Sequence, residues 1–300
     1  MTDVAAGRDF AASANEPPGL KVRGYWRTVG YRLRYDYVTL FFALVILLIA
    51  LSAIFAPLLA PFDPLKTSMA YRLKPVGFRS FLLGTDELGR DMLSRLVYGG
   101  RMSLLMGLTP VVLATIIGGT LGVVAGFVGG SINMLIMRAI DIFYAFPSVL
   151  LAVAISGTMG GGMSNGLIAL TLVFIPPLCR IAETAATQVR GLDFVEAARA
   201  SGASTRSIIL THVLGNVLAP VFIYASSLIS VAILLAAGLS FLGLGVEPPT
   251  PDWGLMLSTL RQSIYVQPYV CALPGLAIFI TSLSFNLVSD GLRQAMDVRT

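Results

Sequence analysis

The polar side chains that could support chemistry are concentrated in two short stretches of a largely apolar sequence. Residues 84–95 contain three carboxylates and two arginines, and residues 193–204 contain two carboxylates and one arginine. Neither stretch offers a histidine-based metal site or a catalytic triad, because His212 is the only histidine of the chain. No lysine follows a glycine-rich phosphate-binding loop. We therefore expect no catalytic residue, no metal site and no cofactor bound by this chain itself.

Residues 193–204 predict a helix, a turn and the start of a second helix. Asp193 and Glu196 have the spacing of a capping box, in which two side chains satisfy free N–H groups at a helix end. A helix should therefore begin near Phe194. Gly202 suits a turn, and the apolar run 205–214 can resume as a helix. The short side chains of the first helix would let another protein surface approach its backbone closely. The sequence leaves open whether Glu196 caps its own helix or pairs with a partner.

Residues 84–95 predict an amphipathic helix at the outer membrane interface. Gly84-Thr85-Asp86 is typical of a helix start, and apolar residues follow at helical spacing: Leu88, Met92, Leu93, Leu96 and Val97. The opposite face would carry Glu87, Arg90, Asp91, Ser94 and Arg95. Asp91 and Arg95 are four residues apart, which is a pairing distance on a helix. Two interpretations remain open: a solvated face, or a face that contacts a docking protein or a substrate.

The elements that position these stretches are predicted to be membrane-spanning helices. The sequence is 56% hydrophobic and only 12% charged, and its mean hydropathy is +0.81. A span needs about 20 mostly apolar residues. Six stretches qualify, so the predicted fold is an all-α integral membrane protein with six transmembrane helices: 38–60, 104–128, 133–156, 166–189, 217–243 and 269–289. The first should remain as an uncleaved span.

The distribution of basic residues predicts that both termini are cytoplasmic. Thirteen lysines and arginines would then lie inside and eight outside, in keeping with the positive-inside rule. Residues 1–20 are expected to form a disordered tail, and the basic and aromatic residues 21–37 an interfacial elbow helix. We divide the remainder into residues 21–103, with the elbow, the first span and the outer helix, and residues 104–300, a core of five spans that includes the loop 189–216. The net charge is +5, but the sequence shows no basic face lined with aromatic residues, which a nucleic-acid-binding protein would need.

Small and charged residues within the spans predict specific contacts. Gly118, Gly122 and Gly126 recur at every fourth position, which allows close helix packing in the bundle or against a second subunit. Arg138 and Asp141 lie three residues apart, and we expect them to pair with each other, since an isolated charge is unfavourable in a membrane. Phe146-Pro147 should then kink this span.

Several motifs resemble those of bacterial ABC importer permeases. Glu196-Ala197-Ala198, with Gly202 four residues later, resembles the EAA signature in the cytoplasmic loop before the fifth span. The other polar stretch resembles the signature of the dipeptide, oligopeptide and nickel permeases of the "C" type, through Gly84, Thr85, Asp86, Gly89, Arg90, Asp91, Ser94 and Arg95. The resemblance extends over about residues 25–299. We call residues 193–204 the EAA segment and residues 84–95 the GTD segment.

The resemblance implies a permease that imports peptides and uses ATPase subunits encoded separately. The residues that would couple to the ATPase are Glu196, Ala197, Ala198, Arg199, Gly202 and Ala203. Implied partners are a homologous second permease, two ABC ATPase subunits that bind ATP and magnesium, and an extracytoplasmic peptide-binding protein. Gly215 stands where the family usually has proline, and Ala236 where many members have glutamate.

Three other interpretations remain. An ion-gradient-driven secondary transporter would need ionisable residues near the middle of the membrane, for which Asp141 is the candidate. A membrane scaffold would leave the EAA segment unexplained. Within the ABC interpretation, the substrate could be a dipeptide, a longer peptide, glutathione or nickel.

Overall fold

A computed structural model describes residues 25–296, and this part of the chain folds into α-helices without a β-sheet. Five helices are long and apolar enough to cross a membrane: α2 (Tyr37–Ile54), α4 (Met92–Val128), α7 (Met163–Arg190), the continuous run Thr205–Phe241, and α12 (Pro268–Met296). The run contains α9 (Thr205–Ile208), a π-helical turn (Ile209–Val213) and α10 (Leu214–Phe241). The shorter helices are α1 (Tyr25–Tyr35), α3 (Ala56–Leu59), α8 (Asp193–Ala200) and α11 (Trp253–Leu260).

The predicted third span is two helices. α5 (Gly130–Tyr144) and α6 (Ser148–Met159) meet at an angle of 88°, and counted together they give the sixth span. The break includes Pro147, whose ring cannot continue the helix before it. The change of direction therefore lies at the predicted proline, but it interrupts the helix rather than bending a continuous one. The two helices form a broken span or a re-entrant loop.

The predicted amphipathic helix at residues 84–95 is wrong as a separate element. Gly84 and Gly89 have φ values of +77° and +74°, which interrupt any helix over this range. The helix begins only at Met92, where the Asp91 carboxylate accepts a hydrogen bond from the Ser94 N–H at 2.8 Å. It then continues without a break to Val128 and includes the second predicted span.

The bundle core is built around the contact between α4 and α7. A Cβ atom at Gly118 would lie 2.7 Å from the carbonyl oxygen of Ile175, and one at Gly122 or Gly126 would clash with the α7 backbone. These glycines thus allow direct backbone contact. The close packing predicted from their spacing lies within this chain, between two of its own spans.

α1 lies within the predicted elbow, residues 21–37, and α2 follows it directly after Asp36. The Asp36 carboxylate accepts hydrogen bonds from the Thr39 N–H (3.1 Å) and hydroxyl (2.5 Å), which caps α2 and lowers the pKa of Asp36. Thr39 packs against Gly291 of α12, where a side chain would clash. The predicted disordered tail, residues 1–20, lies outside the described residues.

Helix direction places the two polar segments at opposite ends of the bundle. The GTD segment leads into the start of α4, whereas the EAA segment follows the end of α7. The end of α4 meets the end of α7, since Arg190 Nη1 lies 3.5 Å from the carbonyl oxygen of Val128. With 37 residues, α4 is about 55 Å long, which separates the two segments.

Candidate functional sites at the two ends of the bundle

The EAA segment forms a short helix, a glycine turn and a second helix. α8 spans Asp193–Ala200, and Gly202 follows with φ +80°, a left-handed conformation that favours glycine. The Ser204 hydroxyl then accepts a hydrogen bond from the Ser207 N–H at 3.3 Å and caps α9. The predicted helix, turn and second helix all occur where the sequence placed them.

The predicted capping box does not form. The N-cap of α8 is Leu192, which makes no side-chain cap hydrogen bond, and Asp193 already lies inside the helix. Within residues 25–296, the side chain of Glu196 makes no hydrogen bond or ion pair, and it is exposed. This geometry excludes internal capping by Glu196 and leaves its carboxylate free on the surface.

One face of the EAA segment is anchored to the bundle. Val195 is fully buried in the main core, and Ala198 packs against the same core. The Arg199 guanidinium lies 5.2 Å from the ring centroid of Phe127, near the end of α4. Phe194 contacts His212 with ring centroids 6.1 Å apart. These contacts connect α8 to the end of α4 and to the helical run that follows.

The other face of the EAA segment is open. The exposed residues include five of the six predicted coupling residues: Glu196, Ala197, Arg199, Gly202 and Ala203. A Cβ atom at Gly202 would meet nothing within 4 Å. Phe194 keeps 42% of its surface exposed. The open face is thus a surface of small residues around a carboxylate that pairs with no described residue.

At the opposite end, the GTD segment is a buried ionic cluster. Arg90 Nε donates a hydrogen bond to Asp86 Oδ2 at 2.6 Å, and Arg95 Nε lies 3.2 Å from the same oxygen. Arg90 also donates to Glu87 Oε1 at 2.9 Å. Asp86, Arg90 and Arg95 are each at least 95% buried. The predicted solvated charged face is therefore wrong, because these charges pair with each other inside the protein.

Backbone contacts hold the ionic cluster in place. Arg95 Nη1 donates to the carbonyl oxygen of Pro64 at 3.1 Å, and the Thr85 hydroxyl accepts a hydrogen bond from the Lys74 N–H at 2.8 Å. A Cβ atom at Gly89 would clash with the backbone of Ser68. Asp91 bonds to Ser94 rather than to Arg95, the partner predicted from the spacing. The GTD segment thus fastens the loop 62–83 onto the start of α4.

The broken span carries an ion pair that the sequence did not predict. Asp141 pairs with Arg180 of α7, and Arg180 also lies 5.0 Å from the ring centroid of Tyr144. Arg138, the predicted partner of Asp141, is exposed and forms no ion pair with it. Beside this pair, a cavity of about 260 Å³ lies between the α5–α6 break, α7 and α10. Its lining is mainly aromatic and apolar and includes Tyr144, Phe146, Phe174 and Tyr224.

The buried carboxylate of Asp252 was not among the candidate residues predicted from the sequence. Asp252 accepts a hydrogen bond from the Ser103 hydroxyl at 2.7 Å and caps α11 through the N–H groups of Gly254 and Leu255. Its burial raises the pKa of this carboxyl group. Trp253 is buried, donates to the carbonyl oxygen of Leu96 at 2.9 Å and fills the space above Gly99. The sequence signal was Asp252-Trp253 after a proline-rich turn.

Within the described residues, no three acidic, histidine or cysteine side chains are grouped as metal ligands. Gly215 lies in the regular first turn of α10, directly after the π-helical turn, with open space around it. Ala236 is buried in the main core.

Comparison with known proteins yields consistent matches. Residues 118–300 match the family described as binding-protein-dependent transport system inner membrane component. Residues 24–75 match the N-terminal transmembrane domain of oligopeptide transport permease C.

Curated relatives match over most of their length. The di/tripeptide transport system permease protein DppC of Pseudomonas aeruginosa is 47% identical over 259 residues, covering 85% of this chain and 86% of the relative. The dipeptide permease DppC of Alkalihalophilus pseudofirmus is 41% identical, covering 91% and 89%. The glutathione permease GsiD of Pectobacterium atrosepticum is 38% identical, covering 92% of each chain.

Among solved structures, an inward-facing MetNI methionine ABC transporter matches with a TM-score of 0.57 and 19% identity. The match covers 68% of this chain and 97% of the other. At this identity the likeness concerns the fold.

Proposed function

Because this chain belongs to the family of binding-protein-dependent transport system inner membrane components, we propose that it is the membrane-embedded subunit of an ATP-driven importer of short peptides. The observation that carries the proposal is the EAA segment. It is anchored to the core on one side, through Val195, and open on the other, around Gly202. A permease whose sequence has no phosphate-binding loop needs a surface that receives a separate ATPase.

The proposed complex contains this chain, a homologous second permease, two ATPase subunits that bind ATP and magnesium, and an extracytoplasmic peptide-binding protein. Both termini are cytoplasmic in this arrangement, as the distribution of basic residues supports. The EAA segment then faces the cytoplasm and the GTD segment faces outward. This chain itself carries no catalysis and binds no cofactor.

Alternating access follows from how the EAA segment is connected. Movement of the ATPases displaces α8, and Val195, packed in the core, carries this displacement into the bundle. Arg199 passes it to Phe127 at the end of α4. The spans tilt and the pathway opens toward the loaded binding protein, and ATP hydrolysis returns them. In this scheme Glu196 pairs with a cation of the ATPase, since its carboxylate is unpaired within the described residues.

The proposed substrate is a di- or tripeptide. The relatives named for dipeptides, for di- and tripeptides and for glutathione, itself a tripeptide, support this size class. The lining of the cavity beside the α5–α6 break is apolar and aromatic, which suits peptide side chains better than a metal ion.

The substitution Gly202→Asp tests the proposal. It places a charged side chain on the open face of the EAA segment, and we expect the protein to reach the membrane while ATPase co-purification and peptide uptake are lost. Gly77→Asp is the matched control, because Gly77 has φ +79°, also has nothing within 4 Å and lies beside the GTD segment. The control should keep both activities. Normal uptake by Gly202→Asp would refute the docking surface, and uptake that persists without ATP but needs a proton gradient would favour a secondary transporter.

A further inference from the structure

The loop between α3 and α4 encloses a cavity of about 440 Å³ next to the GTD segment. This volume lies within the range of small-molecule sites in proteins. Three aromatic rings line it: Phe62 and Phe81 have centroids 5.1 Å apart, and Tyr71 and Phe81 5.4 Å apart. The cavity is thus large enough for a dipeptide and offers its side chains an apolar surface.

Both signs of charge line this cavity. The carboxylates are Asp63 and Asp91, and the cations are Lys66 and Arg79. None of the four forms an ion pair with another described residue. Opposite charges that share one cavity without pairing can be satisfied by a ligand that carries both charges.

The strongest indication comes from Asp91, which is 98% buried. Its Oδ2 accepts hydrogen bonds from the N–H and hydroxyl of Ser94, at 2.8 and 2.6 Å. Its Oδ1 is buried and has no hydrogen-bond partner within the described residues. A buried carboxylate oxygen without a donor is unfavourable. Less than 1 Å² of Oδ1 is accessible, so an ammonium group in the cavity supplies the missing donor only when a side-chain movement opens Oδ1 to it.

The two cations of the cavity, Lys66 and Arg79, likewise have no anionic partner among the described residues. Lys66 is exposed and makes no side-chain hydrogen bond within residues 25–296. The Arg79 guanidinium lies over the rings of Phe78 (5.3 Å) and Tyr71 (5.9 Å), with Nη1 3.4 Å from the Tyr71 hydroxyl. These contacts orient the guanidinium but leave it without an anion, so both cations remain available to a carboxylate.

We propose that this cavity holds a short zwitterionic peptide, with its ammonium group at Asp91 and Asp63 and its carboxylate at Lys66 and Arg79. The proposal rests on the peptide-import function and adds a peptide site within this chain. A free metal ion does not fit, because the described residues offer no group of three metal ligands. A ligand with only negative charge does not fit either, because the carboxylates of Asp63 and Asp91 would repel it.

Binding of radiolabelled alanyl-phenylalanine to the assembled complex in nanodiscs, without the binding protein, tests this site. N-acetylation or C-terminal amidation of the peptide should each weaken binding about tenfold, the effect of one lost charged hydrogen bond. Lys66→Met should weaken binding of the free acid about tenfold and leave binding of the amide unchanged. Asp63→Asn should weaken binding of the free amine and leave the acetylated peptide unchanged. Both positions are exposed, so the variants should fold.

Lys74→Met is the control, because its ammonium lies 5.3 Å from the ring centroid of Phe78 and the residue does not line the cavity. It should leave all affinities unchanged. The proposal is overturned if the wild-type complex does not bind the dipeptide or if the variants affect blocked and free peptides equally. It is also overturned if Lys66→Met weakens only docking of the binding protein. Binding-protein-dependent uptake into proteoliposomes separates the two proposals: uptake without direct binding refutes the cavity site alone, and absence of peptide uptake refutes the transport function.

Discussion

The GTD and EAA segments are similar in sequence and opposite in structure. Each is twelve residues long, each mixes carboxylates with arginine, and each has a glycine with positive φ. In the GTD segment Asp86 has two arginine neighbours, all of them buried. In the EAA segment Glu196 is exposed and has no partner within the described residues.

The difference shows how charge relates to role in this chain. Charges that satisfy each other hold an element in place, and their loss should appear in stability. Charges that nothing satisfies are available to a partner, and their loss should appear in assembly. Substitutions matched between the two segments can therefore test the comparison directly.

The largest effect is expected for Asp86→Asn. The substitution leaves Arg90 and Arg95 buried without a full counter-charge, so the free energy of unfolding should fall by about 3–5 kcal/mol. Its counterpart Asp193→Asn changes an exposed carboxylate and should stay within about 0.5 kcal/mol of the wild type. Denaturant titration of the purified protein measures both. If the two variants were equally stable, the burial argument for the GTD segment would fail.

A smaller difference is expected between two alanine substitutions at glycines with nearly the same backbone. Gly89 has φ +74° and Gly202 has φ +80°. Gly202→Ala adds only left-handed strain, about 1–2 kcal/mol. Gly89→Ala adds this strain and a clash with Ser68, about 2–5 kcal/mol in all. The same titration checks the order, and a reversed order would show that Gly89 is less confined than the structure has it.

The smallest effect concerns the contact between the EAA segment and α4. Arg199→Ala removes the cation–π contact with Phe127 and should cost about 0.5–1 kcal/mol. Arg206→Ala changes an exposed arginine whose side chain makes no hydrogen bond, ion pair or cation–π contact in the described region, and it should cost nothing measurable. In proteoliposomes, Arg199→Ala should also lower peptide uptake relative to ATP hydrolysis, because the contact carries movement to α4. Unchanged coupling would assign Arg199 a purely local role.

Much of the fold could be predicted because membrane spans follow from local composition. Apolar length located the spans, and glycine spacing predicted that α4 packs closely against another helix, although it did not identify α7. The turn at Gly202 followed from one residue type. These features depend on neighbours within a few positions, which a sequence displays directly.

The errors came from contacts between distant parts of the chain. Helical spacing in residues 84–95 predicted a charged face on the outside of a helix, whereas the backbone turns at two left-handed glycines and the charges are buried. Arg138 lies near Asp141 in sequence, but Asp141 pairs with Arg180 of another helix. The role of Asp252 depends on Ser103, 149 positions away. Sequence spacing alone cannot show which distant group will satisfy a buried charge.

The contacts of the GTD segment imply an order of assembly during synthesis. Within the described residues, the earliest partner of its hydrogen bonds and ion pairs is Phe62, whose N–H donates to Ser94 Oγ at 3.1 Å. This unit can therefore close once about a third of the chain has been made, since nearby contacts need little loop closure. The contact of Ser103 with Asp252 must wait until most of the chain has left the ribosome. The nascent membrane protein would thus hide its most strongly charged turn before its later spans are inserted.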